Sequence, residues 1–202
     1  MTAAIIEYGM GNVASVQKAL NLLGIDNQVT GNINDIKAAN YIILPGVGSF
    51  AQGMENLQNF SLDKTIREEV LLNKKPFLGI CLGMQLIATT GTEPHESSGL
   101  NLIEGKVVKI QESNLRIPHL GWNSISSKPT SFFEDFNQKD FYFIHSYHLQ
   151  VKNPSNIGAT VNYGSNYVAA IQHENILATQ FHPEKSQEYG LKILDKFFKF
   201  YA

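Results

Sequence analysis

The sequence predicts an α/β protein: an open, mostly parallel sheet with helices on both faces, a three-layer arrangement, with antiparallel strands added. Three observations carry that prediction. Short apolar runs alternate with segments of helical spacing through the first half of the chain. The second half changes to strand-like runs joined by turns. The composition, 43% hydrophobic and 17% charged over 202 residues, supplies a core of ordinary size. We expect residues 1–202 to form a single domain.

The elements follow in order. Ala3 to Ile6 reads as a buried strand, and Gly9-Met10-Gly11-Asn12 as the turn after it. Asn12 is an expected N-cap; Val13, Val16, Leu20 and Leu23 recur at helical spacing, and Gly24 ends the helix. Tyr41-Ile42-Ile43-Leu44 is a second buried strand, expected to stop at Pro45-Gly46. Ile66, Val70 and Leu71 mark a helix that ends before Pro76. Phe77-Leu78-Gly79-Ile80 is a third buried run, followed directly by a helix through Leu82, Met84, Gln85, Leu86 and Ile87. Strand–helix repetition of this kind favours a parallel sheet.

In the second half, Lys106 to Ile110, Phe141 to Ile144 and Tyr167 to Ile171 read as strands, expected as antiparallel additions to the same sheet. A last helix, Tyr189 to Tyr201, carries Leu191, Leu194, Phe197 and Phe198 at helical spacing. Residues 90–98 and 126–131, rich in small and polar residues, are the expected loops.

Composition excludes several classes of function. Sixteen Lys+Arg against eighteen Asp+Glu give a net charge of −2, without the basic excess of a nucleic-acid binder. Cys81 stands alone, so no intrachain disulfide forms. No run of 18 apolar residues exists, and the N-terminal residues lack the basic flank of a signal peptide. A cytoplasmic protein that engages neither membrane nor nucleic acid is expected.

The sharpest motif is Gly79-Ile80-Cys81-Leu82-Gly83, where a buried strand turns straight into a helix. A nucleophile elbow needs this setting, because the tight turn lifts the side chain above the sheet and flanking glycines avoid a clash. The helix N-terminus also favours a thiolate. The plain alternative is a buried structural cysteine. A second motif is Gln180-Phe181-His182-Pro183-Glu184-Lys185. Pro183 disfavours helix at His182, and in an extended chain His182 and Glu184 face the same side. A histidine oriented by a carboxylate is a competent base for a cysteine; the alternative is a polar surface loop. Third, Gly46, Val47 and Gly48 end a strand, where glycines let backbone N–H groups turn toward an oxyanion; the alternative is an ordinary strand-ending turn.

Other signals are weaker. Gly9-Met10-Gly11-Asn12-Val13-Ala14 fits a loose dinucleotide pattern, but Asn27-Gln28-Val29-Thr30 lacks the acid that would close it. His145 and His148 lie three apart on an expected strand, hence on opposite faces, and His95, His119 and His173 are scattered. No metal and no cofactor are expected.

Taken together, these motifs resemble the class I, triad-type glutamine amidotransferases, and within them the glutaminase subunits of imidazole glycerol phosphate synthase. The likeness rests on 5–12, 44–50, 78–85, Pro118-His119-Leu120-Gly121-Trp122-Asn123, His145-Ser146-Tyr147 and 180–186, and spans nearly the whole chain. It implies a flavodoxin-like sheet and an L-glutamine site. Cys81 would form a glutamyl thioester, His182 would move the protons, and Glu184 would orient the imidazole. Gly46, Val47, Gly48 and the Leu82 amide would form the oxyanion site. Gln85, His145, Ser146 and Tyr147 match positions that hold the amino-acid end of glutamine. Asn12, Trp122 and Lys185 match positions facing a barrel-type cyclase/synthase partner in a heterodimer.

The chain also departs from that pattern. Glu7 replaces the usual Asp, and 89–96, with 140–148, looks more like paralogues of surface-sugar biosynthesis. A sugar-pathway amidotransferase is therefore the first rival. A silent scaffold subunit is the second, opposed by the complete set of Cys81, His182 and Glu184. A cysteine peptidase or chaperone with the same elbow is the third, opposed by the His-Pro-Glu segment.

Overall fold

The computed structural model describes residues 1–111 and 114–202. The parallel half contains β1 (Ala3–Ile6), α1 (Val13–Leu22), β2 (Asn27–Thr30), α2 (Ile33–Ala38), β3 (Tyr41–Gly46) and α3 (Phe50–Asn59). It continues with α4 (Leu62–Arg67), which runs on as a π-helical segment (Glu68–Leu72), then β4 (Phe77–Cys81) and α5 (Leu82–Leu86). The second half contains β5 (Thr90–Gly91), β6 (Ser97–Ser98), β7 (Gly105–Lys109), β8 (His119–Ser127), β9 (Asp140–His145) and β10 (Tyr147–Val151). It ends with β11 (Ile157–Tyr163), β12 (Ser165–His173), β13 (Ile176–Thr179) and α6 (Gln187–Phe200).

Nine strands form the main sheet in the order β2-β1-β3-β4-β13-β12-β11-β8-β9. The first five are parallel and the remaining pairings are antiparallel. Alternate residues of the parallel strands feed two cores, as the pleat requires. Ala3 and Ile5 pack with Val16 and Leu20 of α1 and Leu194 and Phe197 of α6. Ala4 and Ile6 pack on the other face with Ile36, Leu57 and Ile66. The three expected layers are therefore present.

Local details follow from chemistry. Gly24 takes φ +68° and its N–H bonds the Asn21 carbonyl, ending α1. Asn12 occupies the N-cap position, but its side chain makes no capping hydrogen bond; only its carbonyl accepts, from Ser15 and Val16. The final helix starts two residues earlier than expected, with Leu194, Phe197 and Phe198 buried.

Three strand expectations are corrected. β3 does not stop at Pro45 but runs through Gly46, paired Pro45↔Ile80 and Gly46↔Cys81. β1 pairs β3 only as far as Ile43, so the N–H that Pro45 lacks has no partner waiting on that side. The Lys106 run does not join the main sheet: β7 belongs to a separate four-stranded sheet, β10-β7-β5-β6. Its Val107 and Leu149 share a core with Leu82 and Leu86, so burial, not the run's periodicity, selects its partner. Residues 90–98 are not a loop throughout, since they hold β5 and β6.

Among the described residues, no helix is long and apolar enough to cross a membrane.

Candidate active site

Cys81 ends β4 and α5 begins at the next residue. Its backbone takes φ +54° and ψ −107°, a strained conformation for a residue with a side chain. The flanking glycines make that turn possible. A Cβ on Gly79 would meet the Gly83 carbonyl oxygen at 2.8 Å, and one on Gly83 would overlap the Leu44 carbonyl. Cys81 is 6% exposed and stands at the carboxyl ends of β3 and β4, where open α/β sheets bind ligands.

His182 follows β13, the strand beside β4, in an extended conformation (φ −97°, ψ 97°). Its Nδ1 lies 2.7 Å from Glu184 Oε1, both side chains 2% exposed. The pairing was expected, but not its geometry: the chain bends into a 3-10 turn over Pro183–Lys185, which folds Glu184 back onto the ring. Nε2 makes no hydrogen bond of good geometry among the described residues and is left to face Cys81. Burial pushes the His182 pKa down, but interaction with Cys81 and then with Glu184 outweighs it and holds the pKa up, at about 10. An imidazole held in this way takes a thiol proton readily.

The antiparallel extension curls back to complete the site. Its edge strand β9 reaches His182, whose N–H donates to the Tyr142 carbonyl at 3.0 Å. Ser186 locks the same corner, accepting from the Tyr142 N–H at 3.0 Å and donating to the His182 carbonyl at 2.6 Å. The Ile144 carbonyl lies 3.9 Å from Cys81 Sγ.

A cavity of about 370 Å³ opens over the thiol, lined by Val47, Gly48, Leu82, Gln85, His145, Ser146 and Tyr147. All seven were named from the sequence. Gly46 does not line it; that residue is buried in β3 beside Cys81, with Tyr8 packed against it. His145 and His148 do not share a strand: His145 ends β9, His148 lies in β10, and Ser146 separates them. Burial pushes His145 down to about 3 and His119 to about 4, so both rings are neutral. Among the described residues, no group of three His, Cys, Asp or Glu is placed to hold a metal.

The family model described as glutamine amidotransferase class-I matches residues 4–200. The chain belongs to the class-I glutamine amidotransferase family. It is 46% identical over 96% of its length, and 98% of the relative's, to imidazole glycerol phosphate synthase subunit HisH 1 of Campylobacter jejuni. The HisH subunit of Moorella thermoacetica is 43% identical, with 96% of this chain and 92% of that one covered. Two solved structures from Thermotoga maritima share the fold. They are PurLQS (TM-score 0.77, 16% identity, 100% of this chain and 99% of that one covered) and a glutamine amidotransferase (TM-score 0.66, 16% identity, 98% and 82% covered).

The pocket over Cys81 also contains residues that sequence reasoning missed. Ser49, Glu93, Pro118 and Ile144 line it. Burial raises the Glu93 pKa, while a hydrogen bond from the Phe50 backbone at the start of α3 opposes the rise. Gln180, fully buried, directs Nε2 at Cys81 Sγ from 3.8 Å. Glu93 sits in a stretch read as loop, and no local pattern marked it. Gln180 was legible only as a neighbour of His182.

Trp122, Tyr142 and Lys185 form one surface patch beside the candidate site. Trp122 pairs with Tyr142 across β8 and β9, with ring centroids 6.1 Å apart. Lys185 Nζ stands 6.0 Å from the Tyr142 ring. Trp122 is 49% exposed, and Leu120 and Ile144 extend the apolar face. Half-buried Asn12 precedes α1, which packs beside the 183–185 turn.

Proposed function

We propose that this chain is the glutamine-hydrolysing subunit of imidazole glycerol phosphate synthase in histidine biosynthesis. Cys81 Sγ attacks the side-chain amide carbon of L-glutamine while His182 Nε2 takes the thiol proton. His182 returns that proton to the departing ammonia, leaving a glutamyl thioester on Cys81. Water, activated by the same imidazole, then releases glutamate and restores the thiol. Glu184 keeps the His182 proton on Nδ1 and stabilises the imidazolium. Backbone N–H groups of Val47, Gly48 and Leu82 receive the developing oxyanion. Gln85, His145, Ser146 and Tyr147 hold the amino-acid end of the substrate.

The observation that carries the proposal is the strained Cys81 beside a His182–Glu184 pair 2.7 Å apart. The names of the relatives support the histidine pathway over the sugar pathway, and the complete triad argues against a silent scaffold. Ammonia released to water is protonated and lost, so an acceptor site has to be attached. We infer a barrel-type cyclase partner that forms imidazole glycerol phosphate and AICAR, docked as a heterodimer on Asn12, Trp122 and Lys185. We take 1–202 as one amidotransferase domain and place it in the cytoplasm, where a lone thiol nucleophile stays reduced.

The test is glutamine hydrolysis measured with and without the co-purified cyclase and its nucleotide substrate. Low activity alone and a large rise with the loaded partner support the reading. Full activity alone, with no partner that binds or stimulates, contradicts it.

A further inference from the structure

Behind the pocket, the inner face of β8 carries two polar groups that the mechanism above does not use, buried His119 and half-buried Asn123. A hydrogen-bonded run starts at Asn123. The Asn123 Nδ2 group donates to the Asn162 carbonyl at 2.9 Å, and Oδ1 accepts the Ser124 N–H at 2.9 Å. Each partner is a backbone group with one possible role, so the amide has one orientation. The same Nδ2 lies 3.4 Å from His119 Nε2, which must then be the bare nitrogen. A neutral His119 therefore carries its proton on Nδ1, 3.0 Å from His145 Nε2. The other end gives the same direction independently. His145 Nδ1 lies 2.8 Å from the Tyr147 carbonyl, which only accepts, so Nδ1 carries the proton and Nε2 is bare. The His119 ring is stacked between Phe143 and Tyr163, at 4.8 and 4.1 Å, and cannot turn over without unpacking them.

The run continues to the nucleophile. Gln85 Nε2 donates to the same Tyr147 carbonyl at 3.0 Å and to Gln180 Oε1 at 3.1 Å. With Oε1 so engaged, Gln180 presents its NH₂ to Cys81 Sγ. Donors on a sulfur stabilise the thiolate.

We propose that Asn123 and His119 are positioning residues of the glutaminase. Through His145 they form a one-way hydrogen-bond chain that fixes the Tyr147 carbonyl. Through Gln85 and Gln180, that carbonyl orients an N–H donor on Cys81. The inference rests on Cys81 being the nucleophile of glutamine hydrolysis. It also gives β8 two jobs, because Leu120 and Trp122 lie on its exposed face while His119 and Asn123 lie on the opposite, inner face.

The test uses the full chain with its partner, labelled with ¹⁵N-histidine. Two-bond ¹H–¹⁵N correlation spectra read the tautomers directly. We expect His119 and His145 both to carry the proton on Nδ1 at neutral pH. Either ring protonated on Nε2 overturns the chain. His119→Asn keeps an N–H donor where Nδ1 stood, whereas His119→Leu leaves the His145 acceptor buried and unpaired. Glutamine hydrolysis in His119→Asn should stay within about threefold of wild type, and His119→Leu should lose about tenfold or more in kcat/KM. Asn123→Ala, at a half-buried position, is the second variant should His119→Leu not fold. It should leave the His119 ring without its Asn123 donor and lower kcat/KM several-fold. Equal activity in His119→Asn, His119→Leu and wild type, or no change in Asn123→Ala, overturns the positioning role alone. A wild-type complex that hydrolyses no glutamine overturns the glutaminase reading and this inference with it.

Discussion

The parallel and antiparallel halves of this molecule divide the candidate active site between them. The parallel half supplies Cys81 on a strained turn whose glycines are dictated by backbone contacts within a few residues and one neighbouring strand. The antiparallel half supplies the pocket wall, the corner that holds His182, and the aromatic patch beside it. Chemistry is thus built from local geometry in one half, and positioning from long-range contacts in the other. Variants in the two halves should therefore fail in different ways.

The largest effect should come from the parallel half. Cys81→Ala should lower glutamine hydrolysis by at least about 10⁴-fold while circular dichroism shows the fold retained. Retention of most activity would remove the division at its root. His182→Ala, at the junction of the halves, should cost about 10²–10⁴-fold in kcat with the partner present. Glu184→Gln should cost less, about 10–10²-fold, since it only orients the ring. Equal small losses in these two variants would make the 180–186 segment a structural loop.

Much of this division was visible in the sequence. The elbow glycines, Cys81 and the His182–Glu184 pair all lie within short motifs set by neighbours in the chain, so pattern could single them out as candidates once the motifs were taken together. The wall was less legible. That β7 leaves the main sheet, that β3 runs on through Pro45, and that Glu93 and Gln180 reach the pocket all depend on strand partners far apart in sequence. Alternation names a strand but not its neighbour. The His119–His145 contact joins residues 26 apart through the register of β8 and β9, which no local signal fixes.

In the antiparallel half, the expected losses are smaller and of another kind. Trp122→Ala should weaken assembly with the proposed cyclase partner by about 2 kcal/mol, roughly thirtyfold in Kd, as a half-exposed aromatic anchor does. Lys185→Ala should cost less, since it is an exposed charge. Both variants should still be alkylated at Cys81 by a glutamine analogue. Titration calorimetry and labelling rates measure the two quantities separately. If Trp122→Ala blocks labelling as fully as Cys81→Ala does, the halves are not separable.

The smallest effect concerns pH. Burial holds His119 and His145 below their ordinary value of 6.5, at about 4 and 3, so the unfolded chain binds protons that the folded chain refuses. Their contribution to stability is complete above pH 6.5 and is lost as pH falls toward 4. Urea midpoints should therefore drop between pH 7 and pH 5, and drop less in His119→Asn. Identical pH dependence in the two chains would show that burial does not hold the His119 ring neutral.

The most direct test of the central claim is covalent. The complex is treated with 6-diazo-5-oxo-L-norleucine, a glutamine analogue that alkylates the attacking nucleophile, and examined by intact-mass and peptide mass spectrometry. The account predicts one adduct per chain, on Cys81, formed in step with loss of glutamine hydrolysis, slowed by excess L-glutamine and absent in Cys81→Ala. An adduct elsewhere, or full glutaminase activity in chains carrying the Cys81 adduct, would contradict it.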